Sequence, residues 1–397
     1  MSFSEIPPPP EHDPGNDLPE LRVRPPGPQS RTWLTRHGRA SAPMGPRPAA
    51  SIARIKADVP DGSIVLSTGL GSNLIDVDGN RYVDLAQGFG AQLIGHRHGS
   101  IQRVLELQAG RLWQALGDVY PSDAKIGLLE RLTALYPGRA QALLGQSGAD
   151  AVSAALKTAA LHTGRPGVIA FRGSYHGLSY GPLAACGLRE SYRSPFAAQL
   201  NPAVSFVPFP TDADQAARAL QLCAEHLVDG TVGAILVEPI EGRGGVLIPP
   251  DTFLTELKGL AVAHGALLIA DEIWTGLGRS GSWLRMNELG AVPHLVCLGK
   301  GLGGGLPISA CFGAAEVMQA WSRPEEVVHT STFAGTPLAC ATALALLDVL
   351  KRQDLPARSH ALGARWLPEL RAAVGTSPLV AEVRGQGLMI GIELSPR

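Results

Sequence analysis

Two short apolar runs that each lead into a charged residue constrain the fold of this chain most strongly. Residues 266–270 and 295–298 are continuously apolar, without the alternation of a strand that has one face in water. Such runs are typical of strands covered on both faces in a parallel sheet. Asp271 follows the first run directly, and Lys300 follows the second after one glycine. Since functional groups of these sheets collect at the carboxyl ends of strands, we expect both side chains at one edge.

Asp271 and Lys300 together predict a cofactor chemistry that neither residue predicts alone. A carboxylate can pair with a pyridinium nitrogen and an amine can form a Schiff base with an aldehyde, which are two needs of a pyridoxal cofactor. The amine reacts only when it is neutral, and burial lowers a lysine pKa toward that state. Gly299 and Gly301 carry no Cβ, so the backbone there can come close to a ligand. Taken singly, either charged residue would be a strand end that meets water.

A series of short motifs accompanies this pair. They lie at residues 71–85, 147–151, 173–177, 237–242, 271–276, 299–301 and 331–333. In sequence and order they resemble the class III (ω-amino acid) aminotransferases, pyridoxal-phosphate enzymes of the aspartate aminotransferase fold (fold type I). The resemblance extends from about residue 26 to the end. It implies an α/β fold, with a large domain built on a mostly parallel seven-stranded sheet flanked by helices, and a smaller α+β domain that is incomplete at its carboxyl end.

Composition and resemblance together predict four stretches of chain. Residues 1–29 are rich in proline and acid, and we expect a disordered or extended tail. The resemblance assigns residues 30–95 to the small domain and the dimer interface, 96–335 to the large domain that binds pyridoxal phosphate, and 336–397 to the start of the carboxyl-terminal small domain. Family chains continue beyond the strand that matches 387–393. Three explanations of the shorter carboxyl end are open. Another polypeptide completes the small domain, the sequence is a fragment, or the protein is only weakly active.

Periodicity and turn residues predict the individual elements. Residues 73–85 alternate around Asp78 and Gly79 and indicate a hairpin, and helical spacing dominates residues 101–136. Besides the two apolar runs, strands are expected at 167–171, 203–206 and 233–237, helices at 150–163, 212–227, 253–263 and 338–350, and a further strand within 381–393.

The segment Ser147-Gly148-Ala149 precedes the helix that opens at Asp150. Backbone N–H groups and the positive end of a helix can hold a phosphate dianion, although an ordinary capped helix has the same sequence pattern. The resemblance implies that these residues bind the cofactor phosphate, with one hydroxyl contact missing because the family usually has Thr at position 149. It also implies that Thr332 reaches the phosphate of a neighbouring subunit, and hence a homodimer with shared active sites.

The resemblance assigns further cofactor contacts. Tyr175 would stack on the cofactor ring, His176 would support it, and Glu238 would lie near the cofactor hydroxyl. The alternative is that Tyr175 is an ordinary loop or core aromatic and Glu238 a strand-end acid bound to solvent or a helix. The family often has Gln at the position of Trp274, where an amide contacts a cofactor oxygen. An indole is larger and donates only one N–H, so the pocket shape should differ here.

Arg243 is the candidate substrate-binding residue. Many ω-amino acid members have Glu at this position, where it pairs with a carboxylate-binding Arg, so the charge is reversed here. A guanidinium can bind a substrate carboxylate in a bidentate fork. The alternative is a solvated arginine on the glycine-rich turn 242–245.

The expected activity is transamination from an ω- or α-amino acid to a 2-oxo acid, through an internal aldimine with Lys300. An aminomutase, epimerase or decarboxylase of the same fold would use the same Asp271 and Lys300. A dinucleotide fingerprint at 299–304, with Glu316 as ribose acid, is a rival, but Pro307 spoils the helix that it must open. A third possibility is a cofactor-binding partner subunit with impaired catalysis. No metal site is predicted.

Charge and cysteine usage exclude several classes. A net charge of −1 gives no footprint for nucleic acid or anionic membrane. No stretch is long and apolar enough to cross a bilayer. The five scattered cysteines are expected to be reduced core residues of a cytoplasmic protein. They are Cys186, Cys223, Cys297, Cys311 and Cys340.

Overall fold

The structure is a computed structural model that describes residues 15–42, 63–322, 324 and 327–395. Contacts divide the chain into two compact units, residues 1–103 and 104–397. The predicted boundaries at 95 and 335 stay predictions. No helix in the described part of the chain is long and apolar enough to cross a membrane.

The first unit contains a small antiparallel sheet. Its elements are helix α1 (Pro28–Ala40), strands β1 (Leu66–Leu70), β2 (Asn73–Asp76) and β3 (Arg81–Val83), a helical turn at Gln87–Gly90, and the start of helix α2 (Gly99–Ala109), which crosses the boundary. The predicted hairpin is confirmed, since β2 pairs antiparallel with β3. Asp76 Oδ1 closes its turn by accepting from the N–H groups of Asp78 and Asn80 at 2.9 and 2.8 Å.

Residues 15–29, part of the predicted disordered or extended tail, form hydrogen bonds with the hairpin of the first unit. The backbones of Glu20 and Arg81 bond to each other, and Asn80 Oδ1 accepts from the N–H of Arg22 at 2.8 Å. Helix α1 begins at Pro28, and the carboxylate of Asp78 accepts its first N–H groups. Proline-rich composition does not reveal these partners, because they come from a hairpin about 50 residues away. Residues 1–14 lie outside the described residues.

The second unit contains the large sheet. Its strands are β4 (Ala140–Gly145), β5 (Gly167–Arg172), β6 (Val204–Pro208), β7 (Val232–Val237), β8 (Leu267–Asp271), β9 (Leu295–Leu298) and β10 (Ser309–Ala314). The order is β4-β10-β9-β8-β7-β5-β6; β10 pairs antiparallel with β4 and β9, and the remaining pairs are parallel. The predicted mostly parallel seven-stranded sheet is therefore confirmed.

The helices of this unit are α3 (Asp123–Thr133), α4 (Gly148–Thr163), α5 (Ala213–Leu227), α6 (Phe253–Ala263), α7 (Pro337–Arg352) and α8 (Leu355–Val374). Shorter helical turns lie at Tyr180–Ala184, Glu190–Arg193, Ser194–Gln199, Arg285–Glu288, Lys300–Gly303, Ala315–Met318 and Gln319–Trp321. The helices predicted at 150–163, 212–227, 253–263 and 338–350 match α4, α5, α6 and α7 closely.

Both faces of the sheet are covered, as the continuous apolar runs predict. Leu268 and Ala270 of β8 face a core cluster that includes α5 and α6, whereas Leu267 and Ile269 face a cluster that includes α4. Burial on both sides explains why this strand shows no polar alternation. The five cysteines are free and buried, as predicted.

Sequence patterns missed three strands, β1, β4 and β10, and merged two others. Strands β4 and β10 both contain Gly and Ala, which have low strand propensity, and they form because neighbouring strands bury and pair them. The single strand predicted within 381–393 is two antiparallel strands, β11 (Val380–Gln386) and β12 (Met389–Leu394). Gly387, with φ +57°, allows the tight turn that separates them.

Candidate active site

Asp271 is the last residue of β8, and its carboxylate is buried, with 4% exposure. Its Oδ2 accepts a hydrogen bond from His176 Nδ1 at 2.7 Å, and its Oδ1 accepts one from the N–H of Ile273 at 3.1 Å. His176 is buried as well, and its Nε2 has no partner among the described residues. The acid predicted from the apolar run is thus held in one orientation by an imidazole.

Lys300 lies just beyond the carboxyl end of β9, the strand that pairs with β8. Its backbone has φ +42°, and an ideal Cβ on Gly299 would lie 3.4 Å from Gly148 Cα, so the chain passes close to the start of α4. Burial lowers the pKa of the Lys300 amine, the charges of Asp271 and Glu238 oppose this shift, and Arg243 adds to it. The Nζ atom lies 4.8 Å from the ring centroid of Trp274. This environment favours a neutral, nucleophilic amine.

Glu238 follows β7 and joins two loops. Its Oε1 accepts from the N–H of Tyr175 at 2.7 Å, and its Oε2 accepts from the N–H of Gly242 at 3.1 Å. We call residues 173–178 the Tyr175 loop and residues 242–246 the Arg243 loop. Burial raises the pKa of Glu238; the charge of His176 opposes the shift and Asp271 adds to it.

The start of α4 matches the predicted phosphate site in its backbone. Ser147 is the N-cap, and its Oγ accepts from the N–H of Asp150 at 3.2 Å, while Asp150 Oδ2 accepts from the N–H of Ser147 at 3.0 Å. Gly148 and Ala149 form the first turn, whose N–H groups point to no intrahelical acceptor. An ideal Cβ on Gly177 would lie 2.8 Å from the Cβ of Ala149, so a larger side chain at 149 would press on the Tyr175 loop.

Arg243 belongs to the Arg243 loop, and Trp274 packs against Gly242 in the same loop. The guanidinium carbon of Arg243 is 4.3 Å from the ring centroid of Tyr175, and its Nη2 donates to the hydroxyl of Tyr192 at 3.4 Å. An ideal Cβ on Gly242 would lie 2.2 Å from the Trp274 ring, which shows how closely the indole packs there. Sequence patterns missed Tyr192, because nothing along the chain relates it to Arg243, 51 residues away.

Thr332 lies in the turn that precedes α7. It is exposed, and its carbonyl oxygen accepts a hydrogen bond from Gln114 Nε2. Its neighbour Ser331 contacts Gln146 Nε2 through its hydroxyl. The prediction that Thr332 reaches the phosphate of a neighbouring subunit stays a prediction.

The buried residues fit pyridoxal phosphate. A carboxylate at the end of β8 suits a protonated pyridine nitrogen, an amine with a lowered pKa suits the aldehyde, and a capped 16-residue helix offers N–H groups to a phosphate. All three groups lie at carboxyl ends of neighbouring strands or at the helix that follows β4. This fold and this donor set define a pyridoxal-phosphate enzyme of fold type I.

Comparison with known proteins identifies the family. The family described as aminotransferase class III matches residues 56–397, so the chain belongs to it. It is 34% identical to acetylornithine aminotransferase of Methanosarcina mazei over 83% of this chain and 79% of that protein. It is also 35% identical to 5-aminovalerate aminotransferase of Pseudomonas aeruginosa over 86% of this chain and 83% of that protein.

Solved structures agree. An amine transaminase from an uncultivated Pseudomonas species, with pyridoxal phosphate bound, has a TM-score of 0.79 at 30% identity, covering 89% of this chain and 84% of that one. An (S)-enantioselective omega-transaminase from Thermomicrobium roseum has a TM-score of 0.81 at 29% identity, covering 92% and 84%. The chain is therefore a pyridoxal-phosphate-dependent aminotransferase that moves amino groups from amino acids to 2-oxo acids.

The dinucleotide alternative is wrong. The glycines at 299–304 lead through a short helical turn, Lys300–Gly303, into strand β10 instead of a long helix. The fingerprint needs a helix whose first turn meets the pyrophosphate. Glu316, the proposed ribose acid, lies in the short turn Ala315–Met318 after β10.

Proposed function

We propose that Lys300 and Asp271 carry the chemistry of this aminotransferase and that Arg243 binds the carboxylate of its amino acid donor. Bound pyridoxal phosphate supplies a ring that takes up the electrons released when the donor loses a proton. The single observation that supports the assignment most is the pair of strand ends, with a hydrogen-bonded carboxylate after β8 and an amine of lowered pKa after β9.

Each residue has a defined role in this proposal. With pyridoxal phosphate bound, the Nζ of Lys300 would hold it through its aldehyde carbon and would carry a proton between the donor carbon and the cofactor. Asp271, held by His176, keeps a proton on the pyridine nitrogen. The first turn of α4 holds the phosphate through Gly148 and Ala149, while Tyr175 covers the ring.

The remaining cofactor contacts have supporting tasks. The side chain of Ser147 is engaged in capping α4, so its contribution to the phosphate would be its position at the start of the helix. Glu238 keeps the Tyr175 loop and the Arg243 loop at a set distance. Trp274 forms an apolar wall beside the Lys300 amine.

Arg243 gives the proposal its substrate class. Its exposed guanidinium lies over the Tyr175 ring, and its charge reaches the Lys300 amine. The relatives named for acetylornithine and 5-aminovalerate act on amino acids. We therefore propose a donor whose carboxylate lies several atoms from the reacting amine, so that one end meets Arg243 while the other meets Lys300.

Replacing Arg243 with glutamine tests this substrate class. The variant should raise KM for 5-aminovalerate about 10–100-fold, because hydrogen bonds to a charged group contribute about 1.5–3 kcal/mol. Pentylamine has the same chain length and no carboxylate, so its kcat/KM should change less than about threefold. Steady-state kinetics with both donors gives the comparison. Equal losses for the two donors would contradict a carboxylate contact.

We also propose a homodimer in which Thr332 contributes to the partner's site. Exposed apolar side chains cluster within residues 112–120, beside the turn that carries Thr332. They are Leu112, Trp113, Leu116, Val119 and Tyr120. Patches of this kind mark interfaces.

The free, buried cysteines support a cytoplasmic location.

Trp113 provides a test of the dimer. Trp113→Glu should weaken association at least about tenfold and lower activity with it, since a central aromatic residue often contributes about 2 kcal/mol to an interface. Light scattering across a dilution series measures the molecular mass, and activity is assayed on the same samples. Val228→Glu adds the same charge at another exposed apolar residue and should leave both unchanged. Dimers of unaltered strength in the Trp113 variant would refute this interface.

A further inference from the structure

Glu241 is a buried acid to which the proposed transamination chemistry gives no task. The residue is 0% exposed, and neither of its carboxyl oxygens has a hydrogen-bond partner within the described parts of the chain. Burying an ionised carboxylate without a partner is costly, so such a group keeps its proton instead. Glu241 is thus accommodated as a neutral carboxylic acid.

The carboxyl group occupies the space between the two loops that Glu238 joins. An ideal Cβ on Gly173, in the Tyr175 loop, would lie 2.4 Å from Glu241 Oε2, and one on Gly244, in the Arg243 loop, would lie 2.6 Å from the same atom. Glycine at both positions leaves room for this oxygen. A change in size or hydration of the carboxyl group therefore acts on both loops at once.

The Arg243 loop is a tight hairpin closed at Glu241. The backbones of Glu241 and Leu247 exchange two hydrogen bonds of 3.0 Å, and the N–H groups of Gly245 and Val246 both donate to the carbonyl of Gly242. Arg243 lies within this closed loop. Displacing Glu241 must consequently move the guanidinium relative to the Tyr175 ring.

The charges around Glu241 oppose its ionisation. Burial raises its pKa to about 9, and the charge of Glu238 adds to the shift. Arg384, which donates to the carbonyl of Gly245, is already paired with Glu382 and Glu393. Arg243 faces the Tyr175 ring and Tyr192. Neither arginine forms an ion pair with Glu241 in the described structure.

We propose that Glu241 is a positioning residue whose neutral carboxyl group holds the Arg243 loop against the Tyr175 loop, and whose ionisation separates the two loops. The charged group draws water between Gly173 and Gly244, and Arg243 leaves its place over Tyr175. Recognition of the donor carboxylate then fails at alkaline pH. The kinetic part of this inference rests on the proposed role of Arg243, whereas the effect on stability does not.

The stability test compares wild type with Glu241→Gln, which has nearly the same shape and cannot ionise. In the unfolded chain Glu241 loses its proton near its ordinary pKa of 4.5, whereas in the native state the pKa is about 9. Between these two values the native state holds one more proton than the unfolded chain, so wild-type stability falls as pH rises through this window. Per pH unit, the unfolding constant of wild type should rise about tenfold relative to the variant. Urea midpoints of the holoenzymes from pH 6 to 9 measure the difference.

A matched control makes this reading specific. Glu256→Gln is the same substitution on an exposed face of α6. Its urea midpoint should change with pH in the same way as that of wild type. Parallel midpoints for Glu241→Gln, or a loss of stability in that variant at every pH, would overturn the proposal. Either result would mean that no neutral acid needs to be maintained at this position.

Kinetics test the positioning role. Between pH 7 and 10, kcat/KM of Glu241→Gln for 5-aminovalerate should stay high beyond the point near pH 9 where wild type declines. Glu241→Ala should lose at least about tenfold at every pH, because it leaves the space between the loops empty. Restoration by Gln but not Ala distinguishes positioning from general damage. An unchanged alkaline decline in Glu241→Gln would refute the role.

The two proposals fail in different ways. If Arg243 does not bind the donor, Arg243→Gln will treat 5-aminovalerate and pentylamine alike, while the stability difference between wild type and Glu241→Gln remains. If Glu241 is not neutral in the native state, that difference disappears while the Arg243 result stands.

Discussion

Replacing Lys300 with alanine should reduce transamination at least about 10⁴-fold. The side chain is proposed to act both as nucleophile and as proton carrier, and a positioned proton-transfer group alone contributes about 10²–10⁴. Alanine supplies neither function. The rate is measured by following consumption of the 2-oxo acid acceptor with saturating pyridoxal phosphate, so that weaker cofactor binding does not cause the loss. External methylamine should restore part of the rate.

Lys258 offers the matched control for this variant. It is half-buried on α6, and burial lowers its pKa to about 8, so it shares the electrostatic feature of Lys300 without the strand-end position. Lys258→Ala should retain most activity. Borohydride reduction of the holoenzyme, followed by peptide mass mapping, should place the pyridoxyl group on Lys300. A label on another lysine would disprove the assignment.

Replacing Asp271 with asparagine should lower kcat about 10²–10⁴-fold. Asparagine has nearly the same shape and can still bond to His176, but its neutral amide does not favour a proton on the pyridine nitrogen. Without that proton the ring takes up electrons less readily. Single-turnover reactions of each half-reaction should show the loss in the proton-transfer step, with smaller changes in donor binding.

The adjacent Glu272 provides the comparison for Asp271. It is also buried, and burial raises its pKa, although bonds from Thr275 and the N–H of Met286 oppose the shift. Glu272→Gln should therefore keep the packing and most of the rate. If Asp271→Asn and Glu272→Gln lose activity equally, the effect is structural and the role of Asp271 is refuted.

Local patterns in the sequence were sufficient for strands β8 and β9, for helix α4 and for the two central residues. Strands β8 and β9 are apolar on both faces, so their unbroken runs predict burial in a parallel sheet and place Asp271 and Lys300 at their ends. Helix α4 is likewise visible from its capping residues and apolar spacing. The residues that carry these signals are neighbours along the chain.

The remaining cofactor and substrate residues came from motif resemblance, and their contacts needed the tertiary structure. The hydrogen bond between His176 and Asp271 joins residues 95 positions apart in the sequence, and the one between Tyr175 and Glu238 joins residues 63 positions apart. Strands β4 and β10 were missed because their small residues become strands only when neighbouring strands bury them.

The sequence by itself determined the parallel core strands, the carboxylate and amine at their ends, and the family. Only the tertiary structure decided that Glu238 joins two loops, that Arg243 lies over Tyr175, and that Glu241 is buried with no hydrogen-bond partner among the described residues. The physical reason is that periodicity reports which face of an element is covered, whereas sheet order and loop packing decide which distant side chain covers it.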